Sequence, residues 1–262
     1  MKKHLITAAM LLTCSMAFAQ EPLKNKNGVI ITPEPGEFAI GIDAVPFLKY
    51  GGSLFNDSND SPSAEFGAGN PLTFSGLYVK KENFAYRAKV RLGVGVVKED
   101  TLVARVGSTN PNETVANETK TSSSNITIGG GIQKWRGKSR VKGFYGGELL
   151  FNIQTEKTTY SYGNALSSEN QATRTKSEKP GNSFGFQLRG FVGVEYFFAA
   201  KMSMSAEFGW GPSLISTGQG ETQTESWNGS SAETKVSNTG KSSVFSFDND
   251  NANGAINLNF YF

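Results

Sequence analysis

The chain has one cysteine and one histidine, Cys14 and His4, and both fall in its first 19 residues. The remainder therefore has no means of forming a disulfide, using a thiol nucleophile, binding zinc through His or Cys, or running a serine–histidine relay. Long apolar runs are missing as well. After residue 19 no stretch reaches the roughly 18 uninterrupted apolar residues of a membrane helix, so any membrane crossing would have to be made by a closed set of β-strands. Charge of one sign is also scarce: of the net charge of +3, Lys2 and Lys3 supply two, leaving +1. Nucleic acid is excluded as a partner on electrostatic grounds. What is plentiful is glycine, with 30 residues, and phenylalanine, with 19, against a hydrophobic content of only 37%. That combination suits many short strands, and the length suits one large β domain or two small ones.

The N-terminus reads as a secretory signal peptide over 1–19. Lys2 and Lys3 form a basic start, residues 5–12 a short apolar core, and Ala17-Phe18-Ala19 a small-x-small cleavage site. Cys14 offers lipidation as a rival reading, but Thr13 is too large for the small residue expected before a lipidated cysteine. Residues 20–36 are polar, with Pro33 and Pro35 around Glu34, and predict an irregular leader.

From residue 37 onward, apolar and polar positions alternate with the period of two that marks strands. In 37–45, Phe38, Ile40, Ile42 and Ala44 oppose Glu37 and Asp43, and Pro46 marks either the far end or a bulge. A second strand over 72–80 and a third over 84–96 are joined by the short turn 81–83. In the third, seven apolar residues from Phe84 to Val96 stand opposite Arg87, Lys89 and Arg91. A fourth strand begins at Ile126, with Trp135 off its apolar parity through either a bulge or a position at the turn. A fifth over 141–153 sets Lys142 and Glu148 against its apolar face, a sixth over 184–198 does so with Arg189 and Glu195, and a seventh over 202–210 with Glu207. The eighth ends the chain: Ile256, Leu258, Phe260 and Phe262 share one face, Ala255, Asn257, Asn259 and Tyr261 the other. Connections alternate between long polar loops, at 51–70, 98–125, 154–182 and 213–253, and short turns, at 81–83, 137–140 and 199–201. Leu102-Val103-Ala104 offers a continuation of the hairpin into the second long loop. Val244-Phe245-Ser246-Phe247, out of parity with the last strand, is either a folded part of its loop or a bulged extension of the eighth strand.

The terminal aromatic strand, the long-short alternation, the aromatics at both strand ends and the prolines at the long-loop rim together carry a resemblance. The chain resembles the small eight-stranded outer-membrane β-barrels of Gram-negative bacteria, porin-like and OmpA/OmpX-like. This implies an all-β, antiparallel, up-and-down transmembrane β-barrel of eight strands over 37–262. Short turns, the leader 20–36 and both termini would lie in the periplasm, with long loops outside the cell. It implies outer-membrane lipid, lipopolysaccharide and the barrel-insertion machinery as partners, with Phe260 and Phe262 as the insertion signal. It implies neither cofactor nor metal, and no catalytic residue, because enzymes on comparable barrels use an active-site histidine. A soluble secreted barrel with its apolar face inward is the rival architecture.

In such a barrel Arg87, Lys89, Arg91, Lys142 and Arg189 would face inward against Glu37, Asp43, Glu148, Glu195 and Glu207. An eight-stranded interior is just wide enough for side chains to fill, so these charges predict an ion-paired plug, in which reversing Arg91 would destabilise the fold. The function then expected is envelope structure or surface interaction through the loops, with Trp227, Phe245 and Phe247 as candidate contacts. The alternative is a narrow porin, with Arg87, Lys89 and Arg91 as its selectivity element. The sequence does not specify the extracellular ligand.

Overall fold

The computed structural model describes residues 23–44, 72–249 and 255–262; the signal peptide expected over 1–19, the loop expected over 51–70, Pro46 and Pro71 lie outside them. The described residues form one sheet of twelve antiparallel strands. They are β1 (Phe38–Asp43), β2 (Leu72–Lys81), β3 (Phe84–Ala104), β4 (Thr114–Arg136), β5 (Val141–Ser161), β6 (Arg174–Lys179), β7 (Ser183–Ala199), β8 (Met202–Thr217), β9 (Glu221–Trp227), β10 (Ala232–Asn238), β11 (Ser242–Asn249) and β12 (Ala255–Tyr261). The pairings run from β1 through β2, β3, β4, β5, β7, β8 and β12 and return to β1. The last pairing sets Ala39 opposite Tyr261 and Asp43 opposite Asn257. Just beyond it, the Phe262 N–H donates to the Phe38 carbonyl at 2.8 Å.

Eight strands were expected and twelve are present, because the long connections are themselves folded. β3 and β4 stay paired as far as Ala104↔Thr114, so most of 98–125 is strand and not loop. Residues 154–161 likewise continue β5 along β4. The four added strands continue others across short breaks. β6 lies on β9 in the register that β7 keeps on β8, Lys179 facing Glu221 as Ser183 faces Thr217. β10 and β11 repeat this against β9 and β8, Asn238 facing Glu221 and Ser242 facing Thr217. Apart from β11, these extensions carry mostly polar side chains on both faces, so hydrophobic periodicity is weak there. They are rich in threonine, which suits the pleated backbone, and cross-strand hydroxyls pair, Thr121 with Thr158 at 3.1 Å and Ser124 with Thr155 at 2.7 Å.

The Val244–Phe247 segment is thus a strand on β8, continuing the line of β12. Asn249 faces Trp210 and Ala255 faces Glu207, so six steps along this line match three along β8. The odd excess of three reverses which parity faces outward, which is why Phe245 and Phe247 break the pattern of Ile256, Leu258 and Phe260.

One face of the cycle of eight strands is buried and the other exposed. Trp135 needs neither a bulge nor a turn: its pairing with Phe144 is in register and its ring is buried, on the face opposite Ile128 and Ile132. The apolar part of the buried face, with Leu77, Val79, Ala85, Phe144, Phe191, Phe197 and Tyr261, gathers toward the short-turn end. The described part of the segment before β1 has no strand or helix of its own, as expected of an irregular leader, but it is locally ordered. Residues 24–30 make a small bridge, Lys24 to Ile30, turned at Gly28 with φ of 78°, and Asn25 Oδ1 accepts the N–H groups of Asn27 and Val29, both at 2.9 Å. Ile31, 1% exposed, packs into the apolar cluster. Lys201, in the β7–β8 turn, donates from its backbone to the Ile31 carbonyl and from Nζ to Glu34 (3.0 Å) and Glu37 (2.5 Å). The segment acts as a stopper at that end. Ile31→Val should cost about 0.5–1.5 kcal/mol, the usual loss for one buried methylene, read as a lower urea midpoint of unfolding.

Candidate functional site

The buried face concentrates charge. Arg87 and Lys89 project from β3, Glu148 from β5, Arg189 from β7 and Glu207 from β8, each at the alternate positions its strand turns inward. Arg87 meets Glu207 at 2.6 Å and Lys89 meets Glu148 at 3.0 Å. Arg189 bridges the two carboxylates, at 2.7 Å from Glu148 and 3.2 Å from Glu207. Arg87 Nε and Glu148 Oε2 stand 3.2 Å apart, an ionic contact whose angle falls outside hydrogen-bond geometry. Gln133 accepts from Arg87 at 3.3 Å, and the Phe191 ring lies under both guanidinium groups, 4.6 and 5.6 Å from their carbons. A side chain at Gly209 would collide with the Arg189 guanidinium, so glycine there makes room for the cluster. The cavity beside it, lined by Arg87, Gln133, Glu207 and Asn259 among others, holds about 10 Å³, enough for one water.

Nearer the short turns a second polar node surrounds Glu195, 1% exposed. Trp135 Nε1 donates to it at 2.6 Å, Tyr261 OH at 2.8 Å and Asn259 Nδ2 at 3.2 Å, and the Ser203 hydroxyl also donates. Lys142 is buried close by, its ammonium 5.8 Å from the Phe197 ring. Glu37 belongs to neither group and pairs with Lys201 in the stopper. Asp43 is half-buried near the end of β1.

Arg91 departs from expectation. It is exposed, and among the described residues no ion pair engages it. It lies beyond Lys89 toward the long-connection end, above the level of Glu148 and Glu207. Alternation placed it on the right face but carried no information on depth. Gln133, Phe191, Ser203, Asn259 and Tyr261 also belong to this interior; inward parity is the sequence signal that carries them, and it does not depend on a side chain being ionisable.

The opposite face is apolar and open: Val94 is 69% exposed and Phe184 57%. Its aromatics form two rows. Phe38 and Tyr78 (4.8 Å) with Tyr86 and Phe84 stand at the short-turn end; Phe151 with Phe186 (5.4 Å) and Phe208 with Trp210 (5.9 Å) stand toward the other. Phe245 and Phe247, opposite Leu214 and Pro212, extend this face from β11 and are not loop residues. Phe262 is exposed on the same side. Trp227 ends β9, its indole N–H buried without an acceptor among the described residues.

Above the cycle, β6, β9 and the upper parts of β3, β4 and β5 are tied together by side chains. Arg174 donates to Glu225 and to the Asn164 carbonyl, both at 2.7 Å, and lies 4.2 Å over Tyr162. Asn164 bonds in turn to Ala104 and Val106. Partial burial works against the Glu225 charge, but the Arg174 hydrogen bond and the neighbouring Arg174 and Lys176 charges outweigh it and hold its pKa below the ordinary value. A depressed folded pKa means that this link is at full strength above the ordinary carboxylate pKa of about 4.3 and is lost as pH falls through the lower folded value. Protection of the β6 and β9 amides, after division by the intrinsic exchange rate at each pH, should therefore fall in that acid window, and Glu225→Gln should remove the dependence.

Among the described residues no group of three or more His, Cys, Asp or Glu side chains is placed to hold a metal ion. No protein-family model matches the chain, and no curated protein matches it in sequence.

Proposed function

We propose that the chain is an eight-stranded β-barrel of the Gram-negative outer membrane, exported by its first 19 residues. In this reading its lumen is closed to solutes, and it serves envelope structure or surface contact through the sheet that rises outside the cell. The observation that carries this reading is the inverted distribution of polarity. Ion pairs 1–4% exposed in their side chains sit inside, while a continuous apolar face with two aromatic rows points outward. Water would penalise that outer face, whereas lipid stabilises it, and aromatic rows at two levels suit the two interfaces of a bilayer. A cycle of pairings also leaves no strand edge to lipid, as a spanning sheet requires. The soluble alternative needs the opposite arrangement, apolar inside and polar outside.

Two features favour a closed lumen over a porin. Arg87 and Lys89, the basic row a selective pore would use, are committed to Glu148 and Glu207, and the stopper around Ile31 fills the short-turn end. The test is single-channel conductance of the refolded mature chain in a planar bilayer, with folding verified by gel mobility before and after boiling. A mobility shift with a silent bilayer is the expected result. Discrete openings would overturn the closed lumen and revive the porin.

A further inference from the structure

The three strand breaks at 180–182, 218–220 and 239–241 lie side by side. The Gly218 N–H donates to the Asn182 carbonyl and the Thr239 N–H to the Gly220 carbonyl, both at 3.0 Å. A Cβ on Gly181 would collide with the backbone at Gly218, and one on Gly220 with the Lys179 carbonyl and the Gly181 nitrogen. Close backbone approach therefore demands glycine at both positions, and the sheet loses its covering of side chains along this line. A cleft of about 320 Å³ results, lined by Lys179, Asn182, Phe184, Gln219, Glu221 and Asn238 around the glycines. Its size falls within the range of small-ligand sites.

The lining has a definite chemistry. Lys179 and Glu221 face each other in register, so the cleft carries both signs and no excess of positive charge. A phosphate would call instead for a convergent cationic fork. Three amides, Asn182, Gln219 and Asn238, supply donors and acceptors together. Among the described residues their side chains, and that of Lys179, make no hydrogen bond or ion pair, whereas Glu221 accepts from Gln223 at 2.6 Å. Phe184 adds an aromatic surface. Amides of mixed donor and acceptor character beside one aromatic ring match a neutral polyol with apolar C–H faces.

We propose that this cleft is a saccharide site, taking one sugar ring against Phe184 with its hydroxyls on Asn182, Gln219 and Asn238. Phe184 is also the last apolar residue of β7 before the break. On the outer-membrane reading above, on which this step rests, the ring held there is the membrane-proximal sugar of a glycolipid.

The test is saturation-transfer NMR on the refolded mature chain in a phosphocholine detergent with N-acetylglucosamine and methyl glucoside, and in lipid nanodiscs with or without a neutral monoglucosyl lipid. Its comparison is the double variant Asn182→Ala/Gln219→Ala, which removes side chains that support no fold contact. Transfer to sugar-ring protons is expected, with affinity about tenfold weaker in the variant after the loss of two hydrogen bonds. A signal from the free sugars assigns the site to saccharides in general; one confined to the glucosyl-lipid nanodiscs assigns it to the glycolipid. No transfer from any probe, or equal transfer in the variant, would overturn the proposal. Gel mobility is read separately: a wild-type chain without a heat-dependent shift would sink the barrel reading itself.

Discussion

Replacing Glu207 by glutamine should destabilise the folded chain by about 3–5 kcal/mol, the usual cost of removing one partner from a buried ion pair. Glu207 receives Arg87 at 2.6 Å, Arg189 at 3.2 Å and Lys89 at 3.3 Å. Glutamine keeps the shape and one acceptor but brings an N–H₂ group toward three cations that then share Glu148 alone within this cluster. Lys89 alone reaches solvent; the two guanidinium groups and Glu148, 1–4% exposed in their side chains, have little water to fall back on, since the adjacent cavity accommodates about one molecule within 10 Å³. The urea midpoint of the gel-mobility transition measures the effect. A loss below about 1 kcal/mol would mean that the cluster is hydrated or rearranged, because surface charges typically cost no more than this. Arg91→Glu is the internal control. With Arg91 exposed and unpaired among the described residues, the change should stay within about 0.5 kcal/mol, against the larger loss that alternation alone predicted.

The contrast between Glu207 and Arg91 marks how far the sequence could be read. Parity assigned Arg87, Lys89, Arg91, Glu148, Arg189 and Glu207 to one face, and the structure keeps them there. Parity is a property of a single strand, however, whereas depth depends on strand tilt and on which residues of neighbouring strands share a level. Arg91 therefore could not be separated from Lys89, two positions away. The same limit hid the division of the charges into a central cluster, the Glu195 node and the Lys201 stopper, since each joins strands far apart in the chain. The short turns and the eight strands of the cycle were legible because apolar alternation marks them. The extensions above them were not, because Thr, Ser, Asn and charged residues fill both faces and read as loop. Val244–Phe247 was legible as an anomaly, and its explanation lay in the odd excess of residues between β11 and β12.

Glu195→Ala should cost about 2–6 kcal/mol and should weaken the closing pairing of the cycle more than any other. The carboxylate accepts from Trp135 on β4, Ser203 on β8, and Asn259 and Tyr261 on β12, while itself standing on β7. Asn259 keeps Ser203 and Ser205 as partners. Among the described residues Trp135 Nε1 has no other acceptor, and the Tyr261 and Ser203 hydroxyls, which also meet each other, can satisfy only one of their two donors, so two buried donors are left unsatisfied, at about 1–3 kcal/mol each. Glu195→Gln retains an acceptor oxygen and should recover at least half of the loss, whereas a purely steric role would make Gln and Glu indistinguishable. Tyr261 stands opposite Ala39 across the β1–β12 pairing, so its release should appear as faster amide exchange at Phe38, Ala44 and Phe262, whose N–H groups donate across that pairing, before exchange rises in the β3–β4 hairpin. Uniform exchange across all strands would show instead that the node stabilises the sheet as a whole and has no special hold on its closure.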